Sequence, residues 1–197
     1  MIKKFTFATA DKIFFTADTH FGHNSQAIRR GYDDLDEHDN ELIHNWNREV
    51  PRDGIVFHLG DFAYKSTAEH RQRIFKRLNG RKYLILGNHD DSKTIELGWA
   101  APPEHRMIVQ IGAGEEQTTV VLDHYAGRCW YNSHNGHFQF YGHSHGDMPA
   151  TTGACDVGVD PWCLQPITLA DALTAINSAD ITMREVQDLI PGGPRCA

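Results

Sequence analysis

Thirteen of the 197 residues are histidine, a side chain that titrates near neutrality and is the commonest metal ligand. Several stand in short polar strings: Asp18-Thr19-His20, Gly60-Asp61, Gly87-Asn88-His89-Asp90, His124, and His143-Ser144-His145. Composition alone yields about one D-x-H and about one H-x-H, so neither pattern is informative by itself. Gly-Asn-His-Asp is different, because chance predicts only about 0.004 copies. Carboxylates, imidazoles and one Asn amide, with no thiolate among them, form a nitrogen and oxygen donor set. Such a set suits Mn, Fe, Zn, Co or Ni and not a structural zinc finger. Seven convergent donors are too many for one tetrahedral ion. They suit two ions sharing a carboxylate, an arrangement that clamps a phosphoryl group and generates hydroxide.

Position gives these strings their weight, because most follow a segment patterned as a strand. Residues 3–7 and 12–16 are rich in Phe, Ile and Thr and read as a strand pair or hairpin, the second running straight into Asp18. In 34–50, Leu35, Leu42, Ile43, Trp46 and Val50 share one helical face, which Pro51 and Gly54 end. A second D-x-H, Asp36-Glu37-His38, falls inside that helix and reads as a solvated face whose histidine is removable at little cost. Residues 54–59 form a short buried strand leading into Gly60-Asp61. Ser66 and Glu69 make a capping box for a helix that carries Ile74, Phe75 and Leu78 and closes at Gly80. The strand 82–86 then meets Gly87.

Strand, polar loop and helix alternate here in the α/β pattern, and ligands of such sheets bind beyond the carboxyl ends of the strands. After Pro102-Pro103, residues 105–111, 117–122, 136–141 and 154–159 read as antiparallel strands, two of them ending at His124 and His143. Residues 168–176 and 182–190 read as helices, the latter with a Thr182/Glu185 capping box. No repeat or linker divides the chain, so 1–197 reads as one domain.

With 40% hydrophobic and 23% charged residues, the composition is that of a soluble globular protein and excludes disorder or a collagen-like repeat. A net charge of −7 argues against a broad grip on duplex nucleic acid, which rests on Lys and Arg neutralising phosphates. Nucleotides and other small phosphate esters stay open. No apolar run reaches the roughly 18 residues of a membrane helix. Residues 1–15 lack the apolar stretch of a signal peptide, so the expected compartment is the cytoplasm. Four cysteines without a CxxC pair are expected to be reduced thiols.

The order Asp18-x-His20, Gly60-Asp61, Gly87-Asn88-His89-Asp90, His124, Gly142-His143-x-His145 resembles the calcineurin-like metallophosphoesterase superfamily. The string Thr16-Ala17-Asp18-Thr19-His20-Phe21-Gly22-His23 is most similar to its small bacterial and phage phosphoesterases. The resemblance implies an α/β (α+β) four-layer sandwich, two mixed β-sheets flanked by helices. It implies two divalent ions, Mn first, with Fe, Zn, Ni and Co as the others. One would be held by Asp18, His20 and His145 and the other by Asn88, His124 and His143, with Asp61 bridging. His89 would be catalytic, the general acid that protonates or stabilises the leaving oxygen while a metal-bridged hydroxide attacks phosphorus. The implied substrate is a phosphodiester or small phosphorylated metabolite, nucleotides among them. Phosphomonoester hydrolysis and a non-catalytic, metal-supported binding scaffold are the alternatives.

Departures from the family pattern narrow this reading. Gly60-Asp61-Phe62-Ala63-Tyr64-Lys65 lacks the further Asp and Arg of phosphoprotein phosphatases, which argues against protein substrates and leaves His89 without an evident Asp partner. Tyr125-Ala126 replaces the common Tyr-Pro step. A metallo-β-lactamase-like site would need H-x-H-x-D-H, and Met148 stands where the last His belongs. His23 and Arg128 are candidate substrate contacts, and Lys65 is a further candidate phosphate clamp. Asp123, Asp156 and Asp160 are candidates to orient ligand imidazoles. His134 and His137 flank a turn and carry no assigned role.

Overall fold

The computed structural model describes residues 2–184. Its first half runs β1 (Lys3–Phe7), β2 (Ile13–Thr16), α1 (Asn24–Arg29), α2 (Leu35–Glu49), β3 (Ile55–His58), α3 (Ala68–Arg77), β4 (Arg81–Leu84) and α4 (Ser92–Ile95). The second half runs β5 (Arg106–Ile111), β6 (Thr118–Asp123), β7 (Phe138–Tyr141), β8 (Ala154–Asp156), β9 (Ile167–Thr168) and α5 (Leu169–Arg184). The strands form two mixed sheets, ordered β4-β3-β2-β9 and β1-β5-β6-β7-β8, flanked by helices as the resemblance implied. Among the described residues no helix is long and apolar enough to cross a membrane.

β2 and β3 are central and covered on both faces, which is why they read as continuous apolar runs. Alternate residues serve different layers. Ile13, Phe15 and Phe57 meet Val109, Leu122 and Phe140 of the second sheet in one core, onto which α5 packs Ala172 and Ile176. Phe14 and Val56 point the other way, into Leu42 and Trp46 of α2 and Ile74 and Phe75 of α3. Burying each such side chain contributes about 1.5–3 kcal/mol. Asp34 starts α2 as expected, its carboxylate accepting from the Asp36 and Glu37 N–H groups.

Several sequence expectations are corrected. β1 and β2 do not form a hairpin: β1 pairs in parallel with β5 and β2 with β3. β1 alternates Phe5 and Phe7 with exposed Lys4 and Thr6, the one-sided pattern of an edge strand, and both rings pack across the core on Phe57. Of the expected antiparallel run only β5 and β6 are antiparallel. β6, β7 and β8 are parallel, because long connections return the chain to the starting end of the sheet. That return is what lets β6 and β7 release their histidines on one edge.

At α3 the cap is Thr67, not Ser66: Thr67 Oγ1 accepts from the His70 N–H, and Ser66 Oγ accepts from Arg71 Nε. α5 continues through Thr182 to Arg184, so Thr182 is an interior helical residue. Glu185 and the rest of the expected 182–190 helix lie outside the described residues. Cys129 and Cys155 are free, but Cys163 is disulfide-bonded, since spacing along the chain says nothing of proximity in the fold.

His38 is not on a solvated face. It is fully buried under Tyr32, with ring centroids 5.4 Å apart. One ring nitrogen lies 3.1 Å from Arg30 Nη1 and the other 3.0 Å from Asp39 Oδ1. Removing a buried partner of this kind costs about 1–3 kcal/mol. His38→Ala is therefore expected to lower the Tm by several degrees, at about 2–4 °C per kcal/mol for a chain of this size. A thermal melt matching the wild type would show that the ring carries no structural weight.

Candidate metal centre

The three parallel strands of the first sheet stop in register, Thr16 beside His58 and His58 beside Leu84. The chain therefore leaves β2, β3 and β4 on one edge, carrying Asp18 and His20, Asp61, and Asn88 and His89. β6 and β7 end nearby and add His124, His143 and His145. Ligand atoms of Asp18, His20 and His145 lie within 4.8 Å of one another, and so do those of Asp61, His124 and His143. Asp61 joins the two groups, with Oδ2 3.6 Å from His20 Nε2 and 3.6 Å from His124 Nε2. Asn88 Oδ1 is 3.1 Å from His124 Nε2. All seven residues expected as ligands thus meet in one cluster.

The backbone is strained where it presents them. Asp18, His20, Asp61, His143 and His145 have φ between 49° and 67°, a left-handed conformation that costs a non-glycine residue about 1–3 kcal/mol. Hydrogen bonds across the loops hold it in place. Asp90 accepts from the N–H groups of Asp61, Phe62 and Gly87 at 2.9, 3.0 and 2.9 Å. Asp18 Oδ2 accepts from His143 N at 2.8 Å, and Asp61 Oδ1 from His89 N at 2.8 Å. Gly60 permits a close approach: at φ +94° a Cβ there would lie 2.4 Å from His124 Nδ1. At Gly142 it would lie 2.7 Å from Asp18 Oδ2.

The donor set fits cations. The Leu59 carbonyl, 2.7 Å from His124 Nδ1, can only accept, so that nitrogen carries the proton and Nε2 offers a lone pair. That lone pair faces Asn88 Oδ1, another acceptor, which also takes the Tyr125 hydroxyl at 3.2 Å. Asp160 Oδ2 lies 2.7 Å from His145 Nδ1 and orients it in the same way. Buried Asp18 Oδ1 has no hydrogen-bond partner among the described residues. Burial, then the neighbouring Asp156 and Asp61, push the Asp18 carboxyl well above its usual range. Burial, with His145 and Arg30 beside it, pushes His20 down to about 2 and leaves a neutral imidazole. Facing lone pairs and an unpartnered buried carboxylate oxygen are costly alone and are relieved by a divalent ion.

His89 stands at the rim of the cluster, its side chain one third exposed and Nε2 4.0 Å from Asp61 Oδ2. Its ring packs 4.3 Å from that of Tyr64, a contact that stands where an Asp partner was missing. His23 lies 5.4 Å from His20 and 4.8 Å from Tyr64, ring to ring, and Lys65 Nζ sits 5.2 Å above the Tyr64 ring. Arg128 is exposed, with no hydrogen bond or ion pair to the described residues of the cluster. Asp123 does not orient an imidazole: it pairs with Arg106 at 2.6 Å. Asp156 organises the loop backbone, accepting from Gly146 N and Gly158 N at 2.9 and 2.7 Å.

Sequence reasoning passed over Arg30, His58, Tyr64 and Asp90. His58 left a signal, a histidine inside an apolar strand just ahead of Gly60-Asp61. Its Nε2 is 3.0 Å from Thr19 Oγ1, which donates to the Phe62 carbonyl at 2.8 Å and so ties the Asp18 loop to the Asp61 loop. Burial pushes His58 down to about 3, so it performs this neutral.

Residues 11–112 match the calcineurin-like phosphoesterase family. The Gene 66 protein of Mycobacterium phage L5 is 31% identical, over 76% of this chain and 86% of its own. An uncharacterized protein of Methanocaldococcus jannaschii is 37% identical over 40% of this chain and 47% of its own. A crystal structure of a protein of unknown function from Aquifex aeolicus superposes with a TM-score of 0.63 at 19% identity, covering 82% of this chain and 97% of that one. At that identity the likeness bears on the fold.

Proposed function

The chain belongs to the calcineurin-like phosphoesterase family, and from that premise we propose a single-domain, dinuclear metal-dependent phosphoesterase acting on phosphodiesters or small phosphorylated metabolites. Family membership supports metal-dependent phosphoester hydrolysis as the general chemistry. The observation that carries the dinuclear reading is Asp61 Oδ2, equidistant at 3.6 Å from an imidazole of each ligand group. Two divalent ions bound there, Mn for choice among metals suited to mixed nitrogen and oxygen donors, would supply a nucleophile from water and draw charge from the phosphoryl oxygens.

The chain's own part is positioning and proton transfer. Asp18, His20 and His145 hold one side, Asn88, His124 and His143 the other, and Asp61 the middle. His89 presents Nε2 toward the same space from the exposed rim and protonates the leaving oxygen, while Tyr64 keeps its ring from turning away. His23, on the Tyr64 side, is a substrate contact in this reading. Calorimetric titration with Mn²⁺, checked by elemental analysis, should plateau at two ions per chain, and bis(nitrophenyl) phosphate should be cleaved faster than the monoester. A plateau at one ion under saturation overturns the dinuclear assignment.

A further inference from the structure

Arg30 follows the short α1 and belongs to no motif, yet its side chain is 4% exposed and all five of its N–H bonds are taken. Nε and Nη2 grip the two oxygens of Asp160 at 2.9 and 2.8 Å. Nη2 also donates to the Asp18 carbonyl at 2.6 Å, and Nη1 to the Thr19 carbonyl at 3.0 Å. The remaining Nη1 hydrogen goes to His38 Nε2 at 3.1 Å. A guanidinium only donates, so His38 Nε2 is unprotonated and its Nδ1–H is given to Asp39 Oδ1 at 3.0 Å. Asp39 also accepts from Gly22 N at 3.1 Å and faces His70 Nε2 at 2.9 Å. The network therefore runs from α3 through α2 to the loop after β2.

Both ends of one ligand group meet on this side chain. Two of its bonds hold the carbonyls of Asp18 and Thr19, in the stretch where Asp18 and His20 have φ of 56° and 50°. Two more fix Asp160, whose Oδ2 faces His145 Nδ1 at 2.7 Å. With every donor assigned, none is left for Asp61, Asn88, His124 or His143. We propose that Arg30 is the positioning residue of the Asp18/His20/His145 metal position alone, setting the Asp18–Thr19 backbone directly and the His145 imidazole through Asp160. The proposal rests on the dinuclear reading above. Lysine cannot substitute, because a single ammonium lacks the planar fork that reaches four groups at once.

The test is Mn²⁺ binding, read by calorimetry and elemental analysis, in Arg30→Lys, Asp160→Asn and the surface control Arg52→Lys, with near-ultraviolet circular dichroism to establish folding. One Mn²⁺ position should weaken by about 10–100-fold in the first two variants, the range typical of residues that orient metal ligands. The other should stay within about threefold. Added to His145→Ala, Arg30→Lys should change little further, whereas added to His143→Ala it should remove most remaining binding. Equal weakening of both positions, or unchanged Mn²⁺ binding by a folded Arg30→Lys, overturns the proposal. Should Arg30→Lys fail to fold, unchanged binding by Asp160→Asn overturns it instead. A wild type that takes up only one ion refutes the dinuclear reading, and the His143→Ala background still decides what Arg30 holds.

Discussion

Asp61→Asn leaves the fold intact and lowers metal-dependent hydrolysis by about 10³-fold or more. The substitution is nearly isosteric, and an amide oxygen still accepts from His89 N, the bond that Asp61 Oδ1 makes at 2.8 Å. What disappears is the negative charge placed 3.6 Å from His20 and His124 together. A factor of about 10³ corresponds to roughly 4 kcal/mol of lost transition-state stabilisation, within the several kcal/mol that metal-centred charge stabilisation supplies. The metal-free protein should respond in the opposite sense. Asp61 is one of the charges that raise the Asp18 carboxyl, so neutralising it relieves like-charge repulsion and leaves the metal-free Tm unchanged or higher. Full activity with two bound ions in Asp61→Asn would remove Asp61 from the bridging role. Lost activity with a collapsed melt would make it a structural residue, as His38 is.

That contrast between two D-x-H strings shows what was legible in the sequence and what was not. Asp18-Thr19-His20 follows an apolar strand, and strand ends in parallel sheets are where ligands bind, so its convergence with Asp61 and Asn88 followed from local pattern. Asp36-Glu37-His38 sits on a helix whose solvent side could not be told from a second buried side, because the residues that cover His38, Arg30 and Tyr32, come from the stretch that follows α1. Arg30 is eight residues away in sequence, and its guanidinium reaches His38 only once Asp18, Thr19 and Asp160 have assembled around it. Their Phe, Ile and Thr content likewise identified β1 and β2 as strands but not their neighbours. Partner choice depends on which face each strand buries, and β1 buries only Phe5 and Phe7 against the far sheet. Tyr64 gave no signal because it works through its ring against His89, a contact that spacing cannot encode.

His89→Ala should leave both ions bound and lower kcat by about 10²–10⁴, the usual worth of a general acid or base. The imidazole belongs to neither ligand group; its main ring contact is Tyr64 at 4.3 Å, and only its backbone N–H is spent on holding Asp61. Alanine keeps that backbone bond, so the cluster should keep its shape. The size of the loss should then depend on the leaving group. Nitrophenolate departs readily as an anion and gains little from a proton, whereas an alkoxide needs one, so activity on a nitrophenyl diester should suffer least and on an alkyl diester most. Measuring both substrates at fixed, verified metal content separates three outcomes. A loss that grows with leaving-group pKa assigns proton donation to His89 Nε2. A loss of equal size on both esters assigns it electrostatic stabilisation of the transition state instead. Loss of a bound ion would make His89 a ligand, an eighth donor beside the seven of the cluster.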